Sequence, residues 1–220
     1  MAIKAIFFDF DDTIGYREAY AYDCYRRIIS EQAPHLKEDP FEFEAVVQDC
    51  MLWDEKGNID KTHVKNMLKE TYGIKLPYED LNAYWDQILW EHCVPYEDSE
   101  RTLETLSKRY KLGLITNGPS VGQRNKLRNS GLSRFFDPEQ IVVSGDYPFK
   151  KPDPRLFIAG CEKLGVLPEE SVYVGDIYGR DILGAHRAGL TPVWMWNWGV
   201  RKCGTDIIII HKISDLLNYF

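Results

Sequence analysis

Cysteine is scarce in this chain of 220 residues, and the few cysteines are widely spaced. No two of them form a Cys-x-x-Cys pair; they are Cys24, Cys50, Cys93, Cys161 and Cys203. A disulfide framework or a zinc site is therefore not expected, and each cysteine is interpreted as a small apolar side chain. Because this pattern is typical of a reducing compartment, we expect the protein in the cytoplasm.

Long hydrophobic runs are also missing. The longest ones, at residues 5–8 and 207–210, have the length of a strand, whereas a membrane helix needs about 20 apolar residues. The first ten residues contain a short apolar run followed directly by acidic side chains, which is not the pattern of a signal peptide. We therefore expect neither a membrane span nor a secretion signal.

Basic residues are outnumbered, since 27 Lys and Arg face 34 Asp and Glu, for a net charge of −7. This balance argues against a general binder of nucleic acid or of an anionic membrane surface, which usually carries an excess of positive charge. Hydrophobic residues make up 44% of the chain. That fraction is enough for a packed core and excludes a disordered chain.

Two kinds of pattern divide the sequence. Residues 3–10 predict a buried strand, and from residue 96 onward short apolar strands alternate with amphipathic helices, among them helices predicted at 154–164, 181–188 and 213–219. Residues 15–95 carry helical patterns only, with Thr62 as the expected N-cap of one helix. The alternation predicts an α/β fold, a Rossmann-like doubly wound parallel sheet formed by residues 1–14 and 96–220. Residues 15–95 are expected to form an inserted all-helical domain.

Polar side chains follow four of the predicted strands. In an open α/β sheet, ligands bind beyond the carboxyl ends of the strands, so we expect these side chains to meet at one crevice. In chain order they are Asp9 and Asp11, then Thr116, Asn117 and Gly118, then Lys151, and finally Asp176 with Asp181 five residues later.

The acidic residues among them predict a metal site. Asp9 and Asp11 lie two apart in an extended segment, so that their side chains point to the same side. Two such carboxylates repel unless a cation joins them or one takes a proton. Asp176 adds a third acid, and a set of hard oxygen donors favours Mg²⁺. Each acid alone could instead cap a helix or turn, but that alternative is weak for the whole set.

These motifs resemble those of the haloacid dehalogenase superfamily of hydrolases, and they stand in the family's order. The helical block after the first motif is similar to the subgroup with an α-helical cap at that position. The matching residues are Asp9-Phe10-Asp11-Asp12-Thr13 after a strand, Thr116 at a strand end, Lys151 in Lys-Pro-Asp-Pro, and Gly175-Asp176 followed by Asp181.

The resemblance implies a role for each acid. Asp9 would be the nucleophile that forms an aspartyl-phosphate, and Asp11 the general acid and then the general base. Mg²⁺ would be held by the side chains of Asp9 and Asp176 and by the main-chain carbonyl of Asp11. Asp181 would act from the outer sphere, by orienting Lys151 or a metal-bound water.

The resemblance also implies how the phosphate is bound. Thr116 and Lys151 would contact the transferring phosphoryl oxygens, with backbone N–H donors near Asp11, Asn117 and Gly118. Tyr16 and Arg17, where the chain enters the cap, are candidate substrate contacts. For Arg17, a solvent-exposed helix arginine is an equally good interpretation.

Asp11 favours a phosphatase within this family, because an alkoxide leaving group needs a proton and a halide does not. We therefore expect a Mg²⁺-dependent phosphatase that hydrolyses a small phosphate monoester, such as a sugar phosphate, a nucleotide or a phospho-acid. A phosphomutase or a 2-haloacid dehalogenase is a weaker alternative. A non-catalytic or regulatory binding protein of the same fold is an alternative of a different class. The cap carries no motif that identifies the substrate, and a monomer or homodimer is expected.

Overall fold

The computed structural model describes residues 2–199 and 201–220. The chain divides into two compact units. The first unit comprises the chain up to Tyr16 together with Pro95–Phe220, and the second unit is Arg17–Val94. The strands found in the described residues all belong to the first unit, and the second unit is helical. No helix in these described ranges has the length and apolar character needed to cross a membrane.

A six-stranded parallel sheet forms the centre of the first unit, with the strand order β3-β2-β1-β4-β5-β6. Its strands are β1 (Ala5–Phe8), β2 (Lys111–Thr116), β3 (Ile141–Val143), β4 (Ser171–Gly175), β5 (Thr191–Met195) and β6 (Ile208–Ile210). Because β1 pairs with both β2 and β4, the segments that follow these three strands are neighbours at one edge of the sheet. The prediction of an α/β, Rossmann-like parallel sheet is confirmed.

The helices divide between the two units. Those of the second unit are α1 (Arg17–Gln32), α2 (Pro40–Asp54), α3 (Lys61–Tyr72) and α4 (Leu81–Ile88). Those of the first unit are α5 (Ser99–Ser107), α6 (Ser120–Asn129), α7 (Pro154–Leu164) and α8 (Leu183–Ala188), with a π-helical turn at Tyr178–Ile182 and a 3-10 helix at Ile213–Asn218.

Both faces of the central strand are covered, and for this reason β1 reads as an unbroken apolar run. Phe7 lies in a buried cluster with Phe157 of α7. Phe8, on the opposite face, packs edge-on against Phe136 with ring centroids 6.4 Å apart. Each of the four residues of β1 is fully buried. Side chains therefore pack against β1 from both faces of the sheet, and this packing fixes the position of the carboxyl end of β1.

Helix boundaries differ from the predicted ones where a side chain contact decides them. Thr62 is not the N-cap of α3, because the carboxylate of Asp60 accepts the Thr62 N–H at 2.8 Å and the helix begins at Lys61. The helix predicted to start at Asp181 begins at Leu183, after the π-helical turn. The final helix, predicted at 213–219, is a 3-10 helix that covers Ile213–Asn218.

A buried ionic cluster joins α1, α2 and α3 in the second unit. Nη1 of Arg17, at the start of α1, lies 2.8 Å from Oδ2 of Asp54 at the end of α2. The other oxygen of Asp54 accepts a hydrogen bond from the Tyr25 hydroxyl at 2.8 Å and forms an ion pair with Lys61. Burial alone would raise the pKa of Asp54, but the charges of Arg17 and Lys61 outweigh it and lower that pKa. Asp54 therefore stays ionised at neutral pH.

Candidate active site

The first acidic motif lies in a tight turn at the carboxyl end of β1. The backbone N–H of Asp9 donates to the carbonyl of Val174 at 2.9 Å, so that the pairing with β4 continues one residue beyond the strand. Asp12 then adopts a left-handed conformation, with φ at +53°, and its N–H donates to the carbonyl of Gly15 at 2.8 Å. The strand therefore delivers Asp9 to the edge of the sheet, and residues 10–15 form the tight turn that follows.

Lys151 joins three segments that are distant in the sequence. Its ammonium lies 2.9 Å from Oδ1 of Asp9 and 2.7 Å from Oδ1 of Asp181, and it donates to the hydroxyl of Tyr173 at 2.9 Å. The Lys151 side chain is only 2% exposed. Burial acts to lower the pKa of Lys151, but the carboxylates of Asp181 and Asp9 outweigh this effect and raise it. Lys151 is thus a buried ammonium group beside Asp9, and it is charged at neutral pH.

Three carboxylates form a compact oxygen cluster. One oxygen each from Asp9, Asp176 and Asp181 lies within 4.8 Å of the others, and all three residues are buried. Burial, helped by the neighbouring carboxylates, raises the pKa of Asp9 to about 6 even though Lys151 acts to lower it. The same causes raise the pKa of Asp176 well above its ordinary value. Carboxylates that are costly to ionise together, and that offer only hard oxygen donors, fit a divalent cation such as Mg²⁺.

Asp181 differs from the other two carboxylates because both of its oxygens have protein partners. Oδ1 contacts Lys151 and lies 3.1 Å from the Tyr173 hydroxyl oxygen, and Oδ2 accepts the backbone N–H of Ile177 at 2.9 Å. Gly175 allows this approach, since a Cβ on residue 175 would lie 2.5 Å from Cβ of Asp181. Asp181 is therefore placed to orient Lys151, while Asp9 and Asp176 supply the carboxylates that could hold a metal ion.

The segment after β2 is tied to its surroundings through side chain amides. The amide of Asn117 forms two hydrogen bonds with the backbone of Lys151. Its Oδ1 accepts the Lys151 N–H at 2.9 Å, and its Nδ2 donates to the Lys151 carbonyl at 3.2 Å. The N–H of Gly118 donates to Oγ of Ser144 at 3.0 Å. A phosphate contact through that N–H would require this hydrogen bond to open. Thr116 is buried at the end of β2, and its Oγ1 accepts a hydrogen bond from Gln123 at 3.1 Å.

The two expected substrate contacts at the domain crossing lie in different units. Tyr16 ends the first segment of the first unit, where its ring stacks on Tyr96 with centroids 4.8 Å apart. Arg17 begins the second unit and is held in the buried cluster with Asp54. Arg17 is thus a buried helix residue, not the solvent-exposed arginine of the alternative interpretation. Their contacts with substrate stay predictions.

Three residues of the site were not predicted from the sequence. Tyr173 lies in the middle of β4, a segment whose sequence indicates a strand but no role for this side chain. Gln123 and Lys126 lie three apart on the buried face of α6, and the Lys126 ammonium is 2.9 Å and 2.8 Å from the two carboxylate oxygens of Asp11. The available signal was the helical spacing, which places these polar residues on the same side of α6 as the buried Leu127.

Comparisons with known proteins find relatives that match almost the whole chain. The model of one protein family, the haloacid dehalogenase-like hydrolases, matches residues 6–195. A glyceraldehyde 3-phosphate phosphatase of Methanothermobacter thermautotrophicus is 29% identical, over 97% of this chain and 98% of its own length. The N-acylneuraminate-9-phosphatase of Rattus norvegicus is 30% identical, over 98% of this chain and 92% of its own.

A solved structure shares the fold over its full length. It is YfnB of Bacillus subtilis, a HAD hydrolase bound to magnesium, which superposes with a TM-score of 0.77 at 25% identity. The comparison covers 100% of this chain and 99% of that one.

Proposed function

The chain belongs to the haloacid dehalogenase-like hydrolases, and from this premise we propose that it is a Mg²⁺-dependent phosphatase acting on small phosphate monoesters. One observation carries the proposal: the carboxylate of Asp9 lies 2.9 Å from a buried ammonium, and a second carboxylate stands two residues further on at Asp11. The first arrangement suits an anionic nucleophile beside a phosphoryl group. The second supplies the proton that an alkoxide leaving group needs.

The side chains of Asp9 and Asp176 and the main-chain carbonyl of Asp11 would hold the Mg²⁺. When bound, the ion would neutralise negative charge on the phosphoryl oxygens and on the carboxylates around them. The raised pKa values of Asp9 and Asp176 support this assignment, because they report carboxylates that lack sufficient positive charge from the protein alone.

In the first step, a carboxylate oxygen of Asp9 attacks phosphorus and forms an acyl-phosphate bond. The phosphorus–oxygen bond of the ester breaks, its electron pair goes to the leaving oxygen, and Asp11 gives its proton to that oxygen. In the second step, Asp11 takes a proton from water as the water oxygen attacks phosphorus. The bond between the Asp9 oxygen and phosphorus breaks and its electron pair returns to the Asp9 carboxylate, so inorganic phosphate is released and Asp11 is protonated again.

Lys151 and Thr116 stabilise the transferring group in this proposal. The Lys151 ammonium already contacts the nucleophilic carboxylate, so a phosphoryl group bonded to Asp9 would carry its oxygens next to that charge. Asp181 and Tyr173 hold the Lys151 ammonium, and Asn117 holds the Lys151 backbone. Because the charge is already in position, the site needs little reorganisation during the reaction. The hydroxyl of Thr116 adds a neutral donor.

Substrate choice is assigned to the second unit and its entrance. We propose that Arg17–Val94 acts as a cap and that Tyr16 and Arg17 take part in substrate binding. The relatives are named for the 3-phosphate of glyceraldehyde and the 9-phosphate of N-acylneuraminate, both small phosphate esters. A soluble phosphate ester is therefore the proposed partner, with the enzyme acting in the cytoplasm as a monomer or homodimer.

Phosphate release tests the proposal. The substrates are p-nitrophenyl phosphate and a panel of alkyl phosphates that includes glyceraldehyde 3-phosphate, assayed with Mg²⁺ and with a chelator. Release that needs Mg²⁺ and is abolished by Asp9→Asn is the expected result. Asp206→Asn, an exposed acid of the same unit, serves as the matched control and keeps full activity. Lack of release from the whole panel with Mg²⁺ bound would favour a non-catalytic binding protein instead.

A further inference from the structure

The carboxylate of Asp11 is held by two side chains of α6 that belong to none of the motifs described above. The ammonium of Lys126 lies 2.9 Å from Oδ1 and 2.8 Å from Oδ2 of Asp11, so it contacts both oxygens. The amide nitrogen of Gln123 donates to Oδ2 at 3.2 Å. We propose that Lys126 and Gln123 are positioning residues, which hold Asp11 for proton transfer to the leaving group; this inference rests on the proposed phosphatase function.

The two side chains that contact Asp11 are both buried in the fold. Lys126 is 8% exposed and Gln123 is 3% exposed, whereas Arg128, two residues further along α6, is exposed to solvent. An ammonium group is buried at an acceptable energetic cost only when it is paired and hydrogen bonded. Asp11 provides that pairing, and its own side chain keeps 22% exposure, so its carboxylate remains accessible.

Gln123 connects Asp11 to the residues that follow β2. Its amide nitrogen also lies 3.1 Å from Oγ1 of Thr116 and 2.6 Å from the carbonyl oxygen of Asn117. One amide group therefore contacts the proposed acid and the proposed phosphoryl ligand together. This sets the spacing between two groups that must act on opposite sides of the same phosphorus–oxygen bond.

The positioning matters most when the leaving group needs a proton. Lys126 and Gln123 fix where the two oxygens of Asp11 lie, and therefore where its proton is delivered to the leaving oxygen. An alkoxide leaves only if it is protonated, whereas p-nitrophenolate is stable as an anion. Loss of the α6 contacts should therefore slow the cleavage of alkyl phosphates much more than that of p-nitrophenyl phosphate.

Lys126→Met and Gln123→Met test this proposal, with Arg128→Met as the control on the exposed face of the same helix. The value of kcat/KM is measured for p-nitrophenyl phosphate and for the alkyl phosphate that the wild type cleaves fastest, since it reports the steps up to transfer of the phosphoryl group. For the alkyl substrate, Lys126→Met is expected to lower kcat/KM by about 100-fold, the scale of a misplaced general acid. For the aryl substrate the loss should be below about fivefold by the same argument. Lys126→Arg should restore most of the alkyl activity.

Two further results decide the assignment. In an Asp11→Asn background, Lys126→Met should cause no additional loss, because residues that act as a unit are not additive. Equal losses for both substrates in both Met variants, or full additivity with Asp11→Asn, would overturn the positioning role and leave the phosphatase function standing. A wild type that releases no phosphate from either substrate would overturn the proposed function and the positioning role with it.

Discussion

The ammonium of Lys151 lies 2.7 Å from Oδ1 of Asp181, and the side chains of both residues are almost completely buried. The contact ties the segment after β3 to the turn after β4, thirty positions apart in the chain. It also directs the same ammonium onto Asp9. A buried ion pair of this kind is costly to break, because the remaining partner keeps an uncompensated charge. We therefore expect the stability of the fold and the proposed activity to depend on the same lysine.

Replacing Lys151 by Met should damage both properties. Without the ammonium, the carboxylates of Asp9 and Asp181 face each other without compensation, and we expect a loss of about 3–5 kcal/mol in the free energy of unfolding. Loss of the charge beside the transferring group should lower kcat at least about 100-fold. Denaturant unfolding and phosphate release measure the two effects. Lys150→Met, the exposed neighbour, is the control and should leave both unchanged; a Lys151→Met protein with wild-type turnover would refute the assigned role.

Tyr173→Phe should have a smaller effect of the same kind. The hydroxyl of Tyr173 accepts a hydrogen bond from Lys151 at 2.9 Å and donates one to the carbonyl of Ile115 at 2.8 Å. Its removal takes one hydrogen bond from each of these buried groups, which costs about 1–3 kcal/mol for the two bonds together. A Lys151 ammonium that is less well fixed should also lower kcat. Urea unfolding and steady-state kinetics are the measurements, with the exposed Tyr219→Phe as the control. Unchanged stability would show that Tyr173 contributes packing alone.

The carboxylate cluster should make stability depend on pH in a defined direction. The pKa of Asp9 is raised from 3.8 to about 6 in the folded protein, and that of Asp176 is raised as well, so the folded state binds protons more tightly than the unfolded state. In chelator, the free energy of unfolding should therefore decrease as the pH rises from about 4 through about 6, and the Asp9 contribution should level off above that.

Mg²⁺ should change this pH profile, because the ion binds the ionised carboxylates and competes with protons. The increase in melting temperature that Mg²⁺ causes should be small at pH 5 and large at pH 7.5. In Asp9→Asn the decrease in stability with rising pH should become shallower, and the response to Mg²⁺ should weaken. Thermal melts across this pH range, with and without Mg²⁺, provide the test. A Mg²⁺ response that is the same at both pH values would contradict the proposed ligands.

Two glycines of the second unit offer a matched pair of substitutions. Gly57 and Gly73 both have positive φ, at +79° and +68°. A Cβ on residue 57 would lie 2.7 Å from Nη2 of Arg17, whereas a Cβ on residue 73 meets no atom within 4 Å. Gly73→Ala should therefore cost only the backbone strain of about 1–2 kcal/mol. Gly57→Ala should cost more, because Arg17 must move away from its ion pair with Asp54. Equal losses in urea unfolding would show that Arg17 adapts freely.

Local patterns decided the fold class and several element boundaries. The helix predicted at 154–164 is observed as α7 with the same limits, because proline suits its first turn and Gly165 adopts the left-handed conformation that ends it. The alternation of strands and helices predicted the parallel sheet, because apolar residues recur at one spacing in strands and at another in helices. Residues Asp181 and Ile182, predicted as helix, instead belong to a π-helical turn, in which the Asp181 carboxylate binds Lys151 and the Ile177 N–H.

For the candidate site, the sequence by itself determined which residue types stand at the ends of the strands. Asp9, Lys151 and Asp176 could be named as candidates because their neighbours in the chain form recognisable motifs. Only the tertiary structure decided the pairing of Asp11 with Lys126, which is 115 positions away, and the engagement of both Asp181 oxygens. Helical periodicity indicates which face of α6 is buried, but it does not indicate which distant residues pack against that face. Contacts between distant segments have no local signal, and they set the charge and geometry of this site.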